Sequence, residues 1–398
     1  MAASEQQEPR LAQTPTKQEM IDRAKSLAPS FAKRAAAAEE KRALPPESAK
    51  EMLEAGFCRI LMPERFGGYG LDFDAWYEVT LELSKADASH GWCASLLIHH
   101  AHILAQYSEE MQRTIWADGP DVPITASFAP RAQITRADGG FRISGKDSSF
   151  ASGSGHSTWA MIGGLLHEGP QPEWLLLMVP PRKFSVRDVW HTAGMRGTGS
   201  NTLVTENVFV PASHALSLAD LRLGKGPGGK LYPAALFRTL FFFYAPLCFA
   251  APVLGAAQGA YAQFREGAKT RRSVDGSLVA EKVSLQVGMA RAAADLDAAD
   301  LLLQRAAVAH HGPEAQWPEL LTRSIRDFAR SVELSVGAID ALMAMSGSAG
   351  FASSQPIQRA WRDIHFAASH ISVNPENNYS HFGRMELGLG RDPHRPFF

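Results

Sequence analysis

Apolar residues repeat along this chain with two different periods, and the period changes twice. From Gln18 to about Gly119 the spacing is three and four: Ile21, Ala24, Leu27, Ala28 and Phe31 fall on one helical face. Pro45-Pro46 start a second helix that Gly56 can end. A further apolar helix runs through Trp92, Leu96, Leu97 and His100. Between Pro123 and about Gly224 the pattern shortens. β-rich runs at 124–128, 141–144, 159–162, 174–179 and 203–210 are separated by Gly, Pro, Asp and Asn, which predicts an antiparallel barrel or sandwich. Long Ala- and Leu-rich helical stretches return at about 234–269, 279–311, 315–345 and 355–373. The glycines and proline of 221–232 mark the linker before them.

The expected fold is therefore α+β and mostly α. A helical domain over 1–120 is followed by an antiparallel β domain over 121–225. A C-terminal four-helix bundle over 226–398 completes it and carries oligomerisation. Helices, then a small β domain, then a bundle is a specific order of parts, but order alone names no function.

Composition narrows the classes. The 398 residues are 45% hydrophobic and 20% charged, which permits a large buried core. Forty Lys and Arg against 41 Asp and Glu give a net charge of -1, with no basic excess for nucleic-acid binding. Residues 1–16 are polar and lack the apolar core of a signal peptide. The stretch 240–257 is long and apolar enough for a membrane span. Pro246, Pro252 and Gly255 interrupt it, and no Lys/Arg-rich loops flank it, so it reads as the buried centre of a bundle. Cys58, Cys93 and Cys248 are far apart, show no ligand spacing, and read as buried thiols in a reducing cytoplasm. The pairs His99–His100 and His310–His311 lack a second ligand group at useful spacing, so no metal site is expected.

Five stretches in order carry a resemblance over nearly the whole chain. They are Pro63-Glu64-Arg65-Phe66-Gly67-Gly68; Gly194-Met195-Arg196-Gly197-Thr198-Gly199-Ser200 with Val208-Phe209-Val210-Pro211; Arg271-Arg272 before Gly276; Ser346-Gly347-Ser348-Ala349-Gly350-Phe351; and Arg362-Asp363. Together they resemble the acyl-CoA dehydrogenase superfamily. Dehydrogenation there needs a carboxylate to remove an α-proton. One expected position carries Ser369, His370 and Ile371 instead, and no acid occurs between Asp220 and Glu266, where the other would lie. What stands there resembles the flavin-dependent monooxygenase branch. His370 is followed by Asn374, Tyr379 and Phe382-Gly383-Arg384. Gly91-Trp92 with His100, Ala126-Ser127-Phe128 and Phe150-Ala151-Ser152-Gly153 match further branch motifs.

The resemblance implies a reduced flavin, FMNH2 or FADH2, that forms a C4a-hydroperoxide with O2 and hydroxylates an aromatic phenol or indole. No dinucleotide-binding glycine fingerprint follows a predicted strand, so a separate NAD(P)H-flavin reductase would supply the cofactor. His370 is the expected catalytic base or hydrogen-bond partner, with Ser127 and His100 as further catalytic candidates. Trp92, Ser127, Phe128 and Ser152 would line the flavin, Ser152 at its N5/O4 edge. In a homotetramer, Arg271, Gly347 and Ser348 would hold a neighbouring subunit's flavin. Phe243, Tyr244 and Arg238 are expected at the substrate. Plainer readings stand beside these: turn-forming serines, a packed core histidine, a solvated basic run and an aromatic core stripe. Rival functions are an acyl-CoA dehydrogenase or oxidase with an unplaced base, an N- or S-oxygenase, and a catalytically silent binding protein. The chain is expected in the cytoplasm, with no membrane or nucleic-acid partner.

Overall fold

The computed structural model describes residues 14–392. Five helices come first: α1 (Lys17–Lys41), α2 (Pro46–Glu54), α3 (Phe73–Ala86), α4 (Ala88–Leu104) and α5 (Glu109–Ile115). Their ends follow from local chemistry. Thr16 and Glu19 form a reciprocal capping box on α1, Pro46 opens α2, and Gly56 follows that helix with φ 75°. Asp87 caps α4 through the His90 amide. Next to it, Gly91 lets α4 press on α3, since a Cβ there would stand 1.8 Å from the Ser84 hydroxyl.

The strands are β1 (Ile124–Ala137), β2 (Gly140–Ala151), β3 (Trp159–Leu166), β4 (Glu173–Val179), β5 (Ser185–Arg187), β6 (Asn201–Pro211) and β7 (Ala215–Ser217). They form one sheet in the order β5-β6-β2-β1-β3-β4-β7. The expected all-antiparallel domain is corrected at one pair, because β1 and β3 run parallel. The chain leaves β2 through a turn that carries it past β1 to the other side, so β3 starts in the same direction as β1. The β1–β3 register breaks between Ser127 and Ala132, freeing the backbone after Ser127. Gly163 makes room there: a Cβ would lie 2.1 Å from the Phe128 carbonyl oxygen.

A short α6 (Leu218–Arg222) leads into the C-terminal part, which holds α7 (Leu247–Ala268), α8 (Val283–Ala307), α9 (Trp317–Gly350), α10 (Pro356–Ala368) and α11 (Pro375–Glu386). The helix expected from 234 begins only at Leu247. Before it the backbone makes 3-10 turns at Ala235–Arg238 and Phe241–Phe243, and Pro246 sits at the helix start. Pro252 lies inside α7 and cannot donate to the Cys248 carbonyl; the Ser95 hydroxyl of α4 does so instead, at 3.1 Å. The apolar stretch is core: 83% of its most hydrophobic window is buried within the protein. All three cysteines are buried free thiols. α9 changes direction at Gly347, whose φ of 65° and ψ of -169° are not helical.

Candidate active site

One group of candidates converges where α4, the β2–β3 turn, α7 and the segment after α10 meet. Trp92 is its hub. Its indole N–H donates to the Ser152 hydroxyl at 3.1 Å, and its ring meets Phe249 at 5.1 Å and His370 at 6.0 Å. Phe249 stacks on His370 with centroids 3.6 Å apart. The Ser152 hydroxyl also bonds Ser200 at 2.7 Å, and Ser200 bonds Thr198 at 2.7 Å. Gly153 donates its amide to the Thr198 carbonyl, tying the two turns together at 2.8 Å.

Ser127, on β1, and His100, on α4, each bond a backbone carbonyl of the sheet. The Ser127 hydroxyl donates to the Ser149 carbonyl at 2.9 Å, while His100 Nδ1 pairs with the Ile124 carbonyl at 2.7 Å. Trp92 and His100 are eight residues apart on α4, so they share a face about 12 Å along the axis. Phe128 stacks at 5.9 Å on Phe241, which in turn contacts His99 and Tyr244.

The two histidines differ in tautomer. A carbonyl only accepts, so His100 carries its proton on Nδ1 and keeps a lone pair at Nε2. His370 Nδ1 instead accepts from the Ser372 amide at 3.2 Å, which places the proton on Nε2. Burial lowers both to about 4, so both rings are neutral near pH 7. Asp363, seven positions before His370, is buried and accepts from the Met195 amide at 2.6 Å. Burial and the neighbouring Asp87 charge push it up to about 7.

Arg271, Gly347 and Ser348 assemble elsewhere, on the bundle. The Arg271 guanidinium donates to the Met345 carbonyl at 2.8 Å, at the Gly347 bend, and lies over the Phe264 ring. The substrate candidates scatter. Phe243 packs with Trp317, Leu321 and Ile325 in a separate cluster. Tyr244 is buried against Phe73, His99 and His102. Arg238 donates to the Tyr232 and Pro233 carbonyls. Of the aromatic run, Phe241 contacts Phe128.

Three features escaped the sequence reading. Phe249 carries no motif. Phe150, present in the Ser152 motif but given no role from it, is 62% exposed beside Ser152 and holds φ at 65°, a strained backbone for an aromatic residue. Around this turn, a Cβ added at Gly153 or Gly155 would meet nothing within 4 Å, so the turn borders open space that a planar group can fill. The third is a correction to the lone histidine pair. Asp72 reaches His310 Nε2 at 3.0 Å and His311 Nε2 at 2.6 Å, giving three possible ligand groups together.

Open space, apolar rings and a hydroxyl chain fit a flavin ring system. Residues 14–119 match the model of the acyl-CoA dehydrogenase N-terminal domain, and 247–375 that of the C-terminal domain. A FADH(2)-dependent resorcinol hydroxylase oxygenase component of Rhizobium sp. (strain MTP-10005) is 36% identical over 96% of this chain and 97% of its own. The flavin-dependent monooxygenase oxygenase subunit HsaA of Rhodococcus jostii (strain RHA1) is 33% identical over 93% of this chain and 98% of its own. Among solved structures, XiaF from Streptomyces sp., in complex with FADH2 and glycerol, has a TM-score of 0.87 at 28% identity. That match covers 95% of this chain and 96% of XiaF.

Proposed function

The chain belongs to the acyl-CoA dehydrogenase family, as an oxygenase component of two-component flavin-dependent monooxygenases, and we propose how its site divides the work on a phenolic or indolic substrate. The reduced flavin, when bound, supplies oxygen activation and delivers one atom of O2 to an electron-rich ring carbon. The protein binds, orients, excludes water and moves protons.

Ser152, held by Trp92 and Ser200, meets the polar edge of the flavin, and Phe150 covers its ring beside the Gly153–Gly155 opening. The observation that carries the assignment of roles is the opposed tautomers. His100 offers an Nε2 lone pair and takes the substrate hydroxyl proton, which raises electron density on the ring. His370 offers Nε2–H and donates a hydrogen bond to the reacting oxygen. Ser127 keeps two lone pairs for the substrate hydroxyl, because its own hydrogen is committed to Ser149. Trp92, Phe249 and Phe128 supply the apolar wall that keeps water out.

Arg271, with Gly347 and Ser348, suits the phosphate end of a flavin held by a second copy of the chain. The exposed Val283, Val287 and Leu301 on α8 support burial against other copies in a homotetramer. A separate NAD(P)H-dependent reductase supplies the flavin, in the cytoplasm where both would meet.

The test is direct. Purified protein is mixed with FMN or FAD kept reduced by an added reductase, with O2 and a simple phenol, and hydroxylated product is sought. Product with bound flavin inert to acyl-CoA thioesters supports the reading; flavin reduction by an acyl-CoA overturns it.

A further inference from the structure

The hydroxyl groups behind Ser152 allow a complete hydrogen count. Thr198 Oγ1 lies 2.8 Å from the Met195 carbonyl, 2.7 Å from Ser200 Oγ, and Ser200 Oγ lies 2.7 Å from Ser152 Oγ. Three hydroxyls bring three hydrogens, and three bonds must be filled. A carbonyl only accepts, so Thr198 donates to Met195. Ser200 must then donate to Thr198, and Ser152 must donate to Ser200. The Met195 carbonyl also accepts from the Trp190 indole at 2.9 Å, which leaves the count unchanged. Thr198 and Ser200 are buried, at 2% and 4% exposure, so no bulk water can relax the direction.

Ser152 therefore has no hydrogen left to give. It accepts from the Trp92 N–H and donates to Ser200, which leaves one lone pair for a ligand. A reduced flavin carries hydrogen on N5; an oxidised flavin carries only a lone pair there. We propose that the Thr198–Ser200–Ser152 chain makes this site selective for reduced over oxidised flavin, by presenting an acceptor to N5. The inference rests on the reading above that Ser152 meets the N5 edge. An oxidised flavin would oppose two lone pairs, or break one link of a buried chain. One lost neutral hydrogen bond is worth roughly a fivefold to tenfold change in affinity. Release of the spent cofactor and capture of a fresh one from the reductase follow from the same preference.

The experiment measures dissociation constants for reduced and oxidised FMN and FAD, by anaerobic and aerobic titration of the intact protein, without turnover. Thr198→Val removes one hydroxyl and its carbonyl acceptor, so two hydrogens serve one remaining bond and Ser152 can turn outward. Ser200→Ala frees the Ser152 hydrogen by a different route and leaves the Met195 turn intact. Both variants should bind oxidised flavin more tightly, shrinking the reduced-to-oxidised preference roughly fivefold to tenfold, and should lower the midpoint potential of the bound flavin. Thr198→Ser should restore the wild-type preference. If both variants bind flavin with the wild-type ratio, the selectivity chain is overturned while the site assignment stands. If Ser152→Ala also leaves the affinity for each redox form unchanged, the placement of flavin at Ser152 fails, and the inference falls with it.

Discussion

The imidazole of His370 lies 3.6 Å from the Phe249 ring, centroid to centroid, and within 21° of parallel. The stack holds the histidine by one face, while the Ser372 amide fixes its Nδ1. A ring held at two points presents its Nε2–H in one direction only. Phe249→Leu keeps most of the apolar volume and removes the ring contact. It should cost about 1 kcal/mol of stability, the usual worth of an aromatic pair. More tellingly, hydrogen peroxide released per O2 consumed should rise severalfold, because His370 then swings. Peroxide yield unchanged from wild type would argue that the stack is packing alone.

The two tautomers predict different pH behaviour in two substitutions. His100→Asn keeps a donor for the Ile124 carbonyl but has no lone pair on nitrogen to take a proton. Turnover should fall by about 10²–10⁴ near neutral pH, the range for loss of a positioned base. It should recover as pH approaches the phenol's own pKa of about 10, where the substrate ionises unaided. His370→Asn keeps an acceptor for Ser372 and should show no such recovery. Recovery in both variants, or in neither, would contradict the division of roles.

Acid stability follows from three buried histidines and the half-buried His370. His100, His102 and His370 are lowered to about 4, and His99 lies well below its ordinary value, in each case chiefly through burial. In the unfolded chain all four would titrate near 6.5. Between pH 6.5 and 4 the unfolded state therefore binds more protons, and folding stability must fall as pH falls through that window. Denaturant midpoints at pH 7, 5.5 and 4.5 should decline progressively. His99→Phe should flatten the decline. Neither His99 ring nitrogen has a hydrogen-bond partner among the described residues, and the ring is stacked on Trp76, so a phenyl group loses no hydrogen bond there.

Arg271 gives a concentration-dependent test. Its two carbonyl contacts and the Gly347 bend leave a cationic edge for an anion. Arg271→Lys loses the planar fork and should weaken flavin binding about tenfold. If the second half of that site comes from another copy, dilution of the wild-type protein below its assembly range should weaken binding by a similar factor. Affinity independent of protein concentration would place the whole flavin on one chain.

How much of this was legible beforehand depends on sequence distance. The three-part order, the long helices and the five main strands follow from local periodicity, and the structure shows all of them. The failures are non-local. No local pattern reports that β3 returns on the far side of β1, or that Ser127 ends a paired run at a register break. Helix expected from 234 gave way to turns because Pro246 and the packing of Phe241 and Tyr244 outweigh a helical spacing. The His310–His311 pair looked isolated because its partner, Asp72, lies 239 positions from His311. Burial alone would raise that carboxylate, but the His310 hydrogen bond and charge bring it to about 2. Tautomers were beyond reach, since each is set by a backbone group that only the fold brings near. Trp92, Ser152 and His370 do come together, while Phe243 packs apart from them.

The bond from Ser95 to the Cys248 carbonyl has a mechanical consequence. It exists because Pro252 leaves that carbonyl free, and Ser95 is itself anchored by the Trp76 indole at 3.0 Å. α4 and α7 are thereby pinned at one point along their lengths, like two rods sharing a rivet. Trp92 sits one turn from the rivet on one rod and Phe249 one residue from it on the other. The two helices can tilt about that point, yet neither can slide past its neighbour. The non-helical stretch before Leu247 lies outside this constraint, because its turns can be rebuilt without moving the rivet.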